Sequence, residues 1–459
     1  MRQTIDWANP SLAPAGRCKR PRYRVTTTAI RVLVAVALLL SGCASLLPSS
    51  APDRQIVVLW HTFTGFEAQA LETLTDRFNA ENPWHILLIT EYQEQLLRKL
   101  REVPEGRPDL VTVWPEDLQT YVALDLVGAV PTLSPEIRAA WDDLLPMARS
   151  LYLSEGVPQA LPLGLATYLA YYNVEWLGDL GYDASTASWE EFQRTVCAAT
   201  DPLRGRIGVG VPARASVLLA FLAASGSAVV GEDGYYQFSD EEGRAAAALL
   251  QAVMAGDCGV VYQDWDKGLA QLSKSSMAVV VESSQRLPDV ERAILAGRNF
   301  PLGISPLPGL AGPGKTLWYG PGLMVSTPEG SRQIDALRVL SWFFSSEAQS
   351  TWGETTDYVP VRRSVIESAL AEAELTTAMA TETSLLRLTL AAADSESWIV
   401  WPPATDRMVC RASLLRALLA FQLEEADTDA YIDTAVTACN TGVGFRLQPT
   451  PTPTEEAAP

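Results

Sequence analysis

Only two histidines, His61 and His85, occur in the sequence, and neither stands at a spacing from cysteine or from another histidine that would close around zinc. There is no Gly-x-Ser-x-Gly elbow either, so a Ser-His-Asp hydrolase is disfavoured. Carboxylates are abundant, with 54 Asp and Glu in all. An exported glycoside hydrolase needs two of them about 5 to 9.5 Å apart, and so many acids always offer a pair on paper. No stretch singles one pair out. The adjacent pairs Tyr171-Tyr172 and Tyr235-Tyr236 could supply phenolates to ferric iron. Of the 38 aromatic residues, 27 are Trp or Tyr, which offer a flat apolar face together with a polar tip. The residue inventory is compatible with binding a flat, hydroxylated ligand, and no cofactor or metal is expected.

The thiols divide by position. Arg17, Lys19, Arg20, Arg22, Arg24 and Arg31 precede an uncharged apolar run from Val32 to Leu40, too short for the roughly 20 residues of a membrane span and suited to a signal peptide over residues 1–42. Leu40-Ser41-Gly42-Cys43 directly behind it resembles a bacterial lipobox, which makes Cys43 the expected site of lipidation and the first residue of the mature chain. Residues 43–54 then form the anchor and a Ser-, Pro- and Ala-rich linker, and the Pro-Thr tail over 446–459 is expected to be disordered. Apart from Cys18 and Cys43, four cysteines remain: Cys197, Cys258, Cys410 and Cys439. An even number outside the cytoplasm implies two disulfides, for which three connectivities can be drawn. The expected one pairs near neighbours, Cys197 with Cys258 and Cys410 with Cys439. Removing residues 1–42, with seven basic residues and one acidic residue, takes the net charge from −19 to −25. Such a surface excludes nucleic acid as a partner and favours a monomer.

The elements that must position any site alternate. Gln55 to Trp60 reads as a strand, and from Thr64 the apolar residues Phe66, Ala70, Leu74 and Phe78 recur every four positions, as on one face of a helix. His85 to Thr90 is a second strand, Gln93 to Arg101 a second helix, and Leu110 to Trp114 a third strand. Three strands with two intervening helices predict a parallel, doubly covered α/β sheet. Ligands bind such sheets beyond the carboxyl ends of the strands, here at Trp60-His61-Thr62-Phe63-Thr64 and Trp114-Pro115-Glu116.

At these residues the chain resembles the family 1 extracellular solute-binding proteins, the maltose- and glycerol-3-phosphate-type receptors. Val57 to Gly65 with Phe78-Asn79-Ala80-Glu81-Asn82-Pro83 is similar to the family's first strand and helix, and Pro108-Asp109-Leu110-Val111 to its third strand. Ala160-Leu161-Pro162-Leu163 with Leu169-Ala170-Tyr171-Tyr172-Asn173 resembles the crossing into the second lobe, and Ser188-Trp189-Glu190-Glu191-Phe192 a helix start. Gly303 to Gly309, Gly320-Pro321-Gly322-Leu323 and Tyr358-Val359-Pro360-Val361-Arg362 follow in family order.

The resemblance implies a two-lobe periplasmic-binding-protein-like fold of type II, with a ligand cleft between lobes that close about a hinge. The first lobe is expected over 55–160 with 308–360 and the second over 161–307 with 361–445. It further implies a lipoprotein on the outer face of the cell membrane that hands a carbohydrate to the permease subunits of an ABC importer. A polyol or sugar phosphate is the alternative, and a ferric-iron receptor or a hydrolase stands further off. The cleft candidates are Trp60, Phe63, Thr64, Trp114, Glu116, Tyr168, Trp265, Ser283, Tyr319 and Arg362. Trp265, between Asp264 and Asp266, is expected to be exposed, and Tyr171-Tyr172 is explained more simply by the crossing segment than by iron.

Overall fold

The computed structural model describes residues 55–441 except 104–105, 124–134, 155, 183–187, 232–234, 327–329, 376–379 and 403–406. The signal segment 1–42, Cys43 with its linker, and the tail 446–459 lie outside the described residues.

Five strands form the first sheet. Gln55–His61 lies between Ile86–Tyr92 and Leu110–Val113 and runs parallel to both. Its last three residues are all buried, as expected where helices cover both faces of a parallel sheet. Helix Gly65–Glu81 buries Ala70, Leu71, Leu74 and Phe78, the expected stripe less one member: Phe66, in its first turn, is exposed. Gly322–Val325 returns late in the chain to pair antiparallel with Leu110–Val113 on one side and with Leu161–Pro162 on the other.

The second sheet is built around Ala166–Asn173, buried at every position. Met277–Ser283 pairs antiparallel along one edge of this strand, and Leu302–Pro306 and Thr316–Tyr319 share the other edge. Ile207–Pro212 and Gly259–Tyr262 extend the sheet on one side, Trp398–Val400 on the other. Helix Trp189–Ala199 covers it, and the Ser188 start has a mechanism: the Ser188 hydroxyl accepts from the Glu191 amide while the Glu191 carboxylate accepts from the Ser188 amide. The two disulfides pair as expected. Cys197–Cys258 ties this helix to the residue before strand Gly259–Tyr262, and Cys410–Cys439 ties helix Arg407–Ala420 to helix Thr428–Asn440.

Three segments cross between the sheets side by side. The Leu163 amide donates to the Pro321 carbonyl at 2.8 Å, and Leu165 and Val359 exchange two backbone hydrogen bonds of 2.8 Å each. The strands on either side move the expected lobe limits. Leu161–Pro162 still belongs to the first sheet and Thr316–Tyr319 to the second, so the crossings fall at 163–165 and 320–321 rather than at 160/161 and 307/308. The backbone is closest at Gly320, where a Cβ would stand 1.9 Å from the Gly164 carbonyl oxygen.

Candidate functional site

The carboxyl ends of the first-sheet strands open onto a cleft with two cavities. The larger, about 600 Å³, has Thr62, Glu94, Trp114 and Asp117 from the first lobe and Met408 from helix Arg407–Ala420 on its walls. Each first-lobe member stands just past a strand, because the strand directs the chain outward there and the next helix begins. Trp114 is half-buried between strand Leu110–Val113 and the turn Pro115–Asp117, so part of it stays accessible on the cavity wall. Tyr121, one turn further on, also lines the cavity.

The smaller cavity, about 370 Å³, is shared by both lobes. Thr64 and Glu67 come from the first lobe, and Arg214, Ser283, Arg286 and Tyr319 from the second. The Tyr319 hydroxyl donates to Ser283 Oγ at 2.7 Å, and the Tyr168 ring lies 5.7 Å from the Tyr319 ring. The Tyr168 hydroxyl shares a 2.6 Å hydrogen bond with Ser216. Behind them Glu282 is fully buried; its Oε1 accepts from Arg214 at 2.6 Å and from the Ser283 amide at 2.9 Å. Its Oε2 is buried with no hydrogen-bond partner, and burial raises the Glu282 pKa against the opposing pull of Arg214. Burial likewise raises Glu67, partly offset by the Tyr358 hydroxyl that donates to it at 2.9 Å.

The structure separates the ten cleft candidates. Thr64, Ser283 and Tyr319 meet in the smaller cavity, Trp114 lines the larger, and Tyr168 supports Tyr319 from below. Trp60 is a core residue. Its strand runs on to His61, so it lies within the sheet rather than past its end, and its indole donates to Glu91 at 2.9 Å. Phe63 is fully buried against Trp352, with ring centroids 5.3 Å apart. Glu116 is buried and paired with Arg411. Arg362 is structural: it pairs with Asp143 at 2.7 Å and donates to the Phe344 carbonyl at 2.7 Å. Trp265 is half-buried under Arg286, whose guanidinium lies 5.6 Å from its ring, and not exposed as expected. One member of each tyrosine pair is engaged elsewhere, Tyr171 donating to the Ser283 carbonyl and Tyr236 to the Pro402 carbonyl, so neither of these two hydroxyls is free to act as a phenolate ligand for iron.

A family model described as a bacterial extracellular solute-binding protein matches residues 73–381, more than half of the chain. The chain belongs to this solute-binding protein family. No curated protein matches the sequence. Among solved structures, the sugar-binding protein MalE from Xanthomonas citri aligns with a TM-score of 0.71 at 16% identity, over 85% of this chain and 98% of that one. The GacH receptor of Streptomyces glaucescens, solved unliganded and with acarbose, gives 0.65 at 18% over 84% and 98%. UgpB from Mycobacterium tuberculosis, in complex with glycerophosphocholine, gives 0.65 at 17% over 87% and 100%. At these identities the likeness is one of fold, two α/β lobes with a cleft between them.

In this solute-binding protein the residues that sequence reasoning missed are mostly charged. Arg214 and Glu282 stand 68 positions apart and meet only because strands Ile207–Pro212 and Met277–Ser283 are neighbours in the second sheet. One signal lies in the sequence: Glu282 ends the otherwise apolar run Met277-Ala278-Val279-Val280-Val281, and a lone carboxylate in such a run needs a partner.

Proposed function

We propose that the protein is the receptor of an ABC importer and binds an uncharged carbohydrate in this cleft by closure of the two lobes. The observation that carries the reading is the state of the smaller cavity's cations. Arg214 is paired with Glu282 at 2.6 Å and Arg286 with Asp289 at 2.8 Å, so both are neutralised before any solute arrives, while on the wall of the larger cavity Arg98 pairs with Glu102 at 3.5 Å and Arg101 stands beside it. A phosphate would have to displace a carboxylate, whereas sugar hydroxyls can add hydrogen bonds at the edges of such pairs and a pyranose face can lie on Trp114. The neighbours support it in part: one binds acarbose, another maltotetraose, others ribitol or glycerophosphocholine.

Calorimetric titration with maltotetraose, ribitol and glycerophosphocholine tests the proposal. Binding of the oligosaccharide is expected, and Trp114→Ala should weaken it about thirtyfold, the cost of removing an aromatic anchor. Binding of glycerophosphocholine alone would overturn the carbohydrate reading. Anchoring through Cys43 and delivery to a permease rest on the lipobox-like tetrapeptide and on the family. Cys43→Ser should leave the protein in the soluble fraction with affinity unchanged; a variant that stays acylated would refute the anchor.

A further inference from the structure

Glu116 and Arg411 lie 295 residues apart in the chain and on opposite lobes, and they form an ion pair. Glu116 belongs to the turn Pro115–Asp117 that follows a first-sheet strand, and its side chain is only 7% exposed. Arg411 stands on helix Arg407–Ala420, whose Cys410, Leu414, Ala417 and Leu418 are buried in the second lobe's core. The disulfide at the adjacent residue, Cys410, fixes that helix to helix Thr428–Asn440. Trp114 and Asp117, close to Glu116 in the chain, line the larger cavity, and so does Met408, about one helical turn before Arg411. The pair thus crosses from lobe to lobe at the wall of the solute site.

Parting the lobes must break this contact, and each charge then regains its water. The pair therefore contributes to the closed arrangement alone. We propose that Glu116 and Arg411 form a latch that holds the lobes together at the solute site and so sets how long a bound solute stays. The proposal rests on the solute-binding reading above. Because its helix is fastened to the second lobe next to Arg411, tension on the pair pulls on the whole lobe instead of being absorbed by a sliding helix. A bound solute leaves only when the lobes part, so a contact that opposes parting slows dissociation.

The test compares wild type with Arg411→Gln, Arg411→Lys and Glu116→Gln, using stopped-flow tryptophan fluorescence with maltotetraose and the radius of gyration of the unliganded protein from solution X-ray scattering. Arg411→Gln should speed dissociation about tenfold, with association unchanged or faster because the unlatched lobes admit solute more readily, and Arg411→Lys should fall between. Since nearly half of the Arg411 side chain is exposed, added salt should speed dissociation from wild type and leave Arg411→Gln unchanged. An unchanged dissociation rate in Arg411→Gln overturns the latch. So does a lowered melting temperature with rate and radius unaltered, which would mark the pair as structural. Should Glu116→Gln not fold, the half-exposed Arg411 variants still decide. If maltotetraose does not bind wild type, the carbohydrate proposal is what fails; the radius then decides the latch, which predicts a larger value for unliganded Arg411→Gln and is overturned by an equal one.

Discussion

Glu282 shows what one residue can cost and what it positions. Its carboxylate is fully buried with one oxygen unpartnered, and burial holds its pKa above the ordinary carboxylate value. A raised carboxyl pKa means that the folded state keeps its proton where the unfolded chain has lost it. Stability from this group is therefore complete below the ordinary value and falls as pH rises from there to the raised one. Glu282→Gln, which cannot ionise, should match wild type in melting temperature at acid pH and gain on it progressively toward neutrality. Melting curves of both proteins across the carboxylate range check this, and a gap that stays constant with pH would contradict it. The same residue marks where sequence reading stops. The Gly-Pro-Gly stretch beside Tyr319 can be read locally, whereas the Arg214 partner of Glu282 is brought by sheet pairing. Trp60 and Phe63 misled for the opposite reason: aromatic residues near a strand end fit the core of a doubly covered sheet as well as they fit a cleft.

Among elements, the second lobe depends on covalent ties as well as packing. Cys197–Cys258 closes a loop of sequence separation 61 and fastens helix Trp189–Ala199 beside strand Gly259–Tyr262, which pairs with Ile207–Pro212 and so supports the approach to Arg214. On the chain-entropy account a loop of that size is worth about 4 kcal/mol, and the Cys410–Cys439 loop slightly less. The double variant Cys197→Ala/Cys258→Ala is expected to lower the urea-derived unfolding free energy by about that amount. A loss under about 1 kcal/mol would show that packing alone fixes the helix. The local elements were mostly legible: strand Gln55–His61 and helix Gly65–Glu81 follow from apolar patterning, and the helix start at Ser188 follows from the family resemblance, its capping box appearing only in the structure. The crossings were misplaced by a few residues at the first and a dozen at the second, because strand Thr316–Tyr319 is equally apolar in either lobe and only its partner Ala166–Asn173 decides where it belongs.

For the whole molecule the crossing segments are where the lobes are joined and where motion has to be accommodated. Gly320 has no room for a Cβ, and the obstructing atom is a backbone oxygen that cannot swing aside. Gly320→Ala should destabilise by about 3 kcal/mol, the upper end for overpacking, and should weaken solute binding as the crossings are pushed apart. Denaturant unfolding and calorimetry would measure both, and an unchanged midpoint would show that the crossing gives way freely. The return of the chain through this crossing also decides the order in which the molecule can be finished. Strand Gly322–Val325 fills the place between Leu110–Val113 and Leu161–Pro162, so the lobe begun first lacks an interior strand until six of the seven strands of the second sheet have been synthesised. Domains usually fold as units from the N-terminus during synthesis, and this one cannot. A nascent chain of this design holds an unfinished first sheet while the second is being made, and the two lobes become rigid late and together rather than in turn.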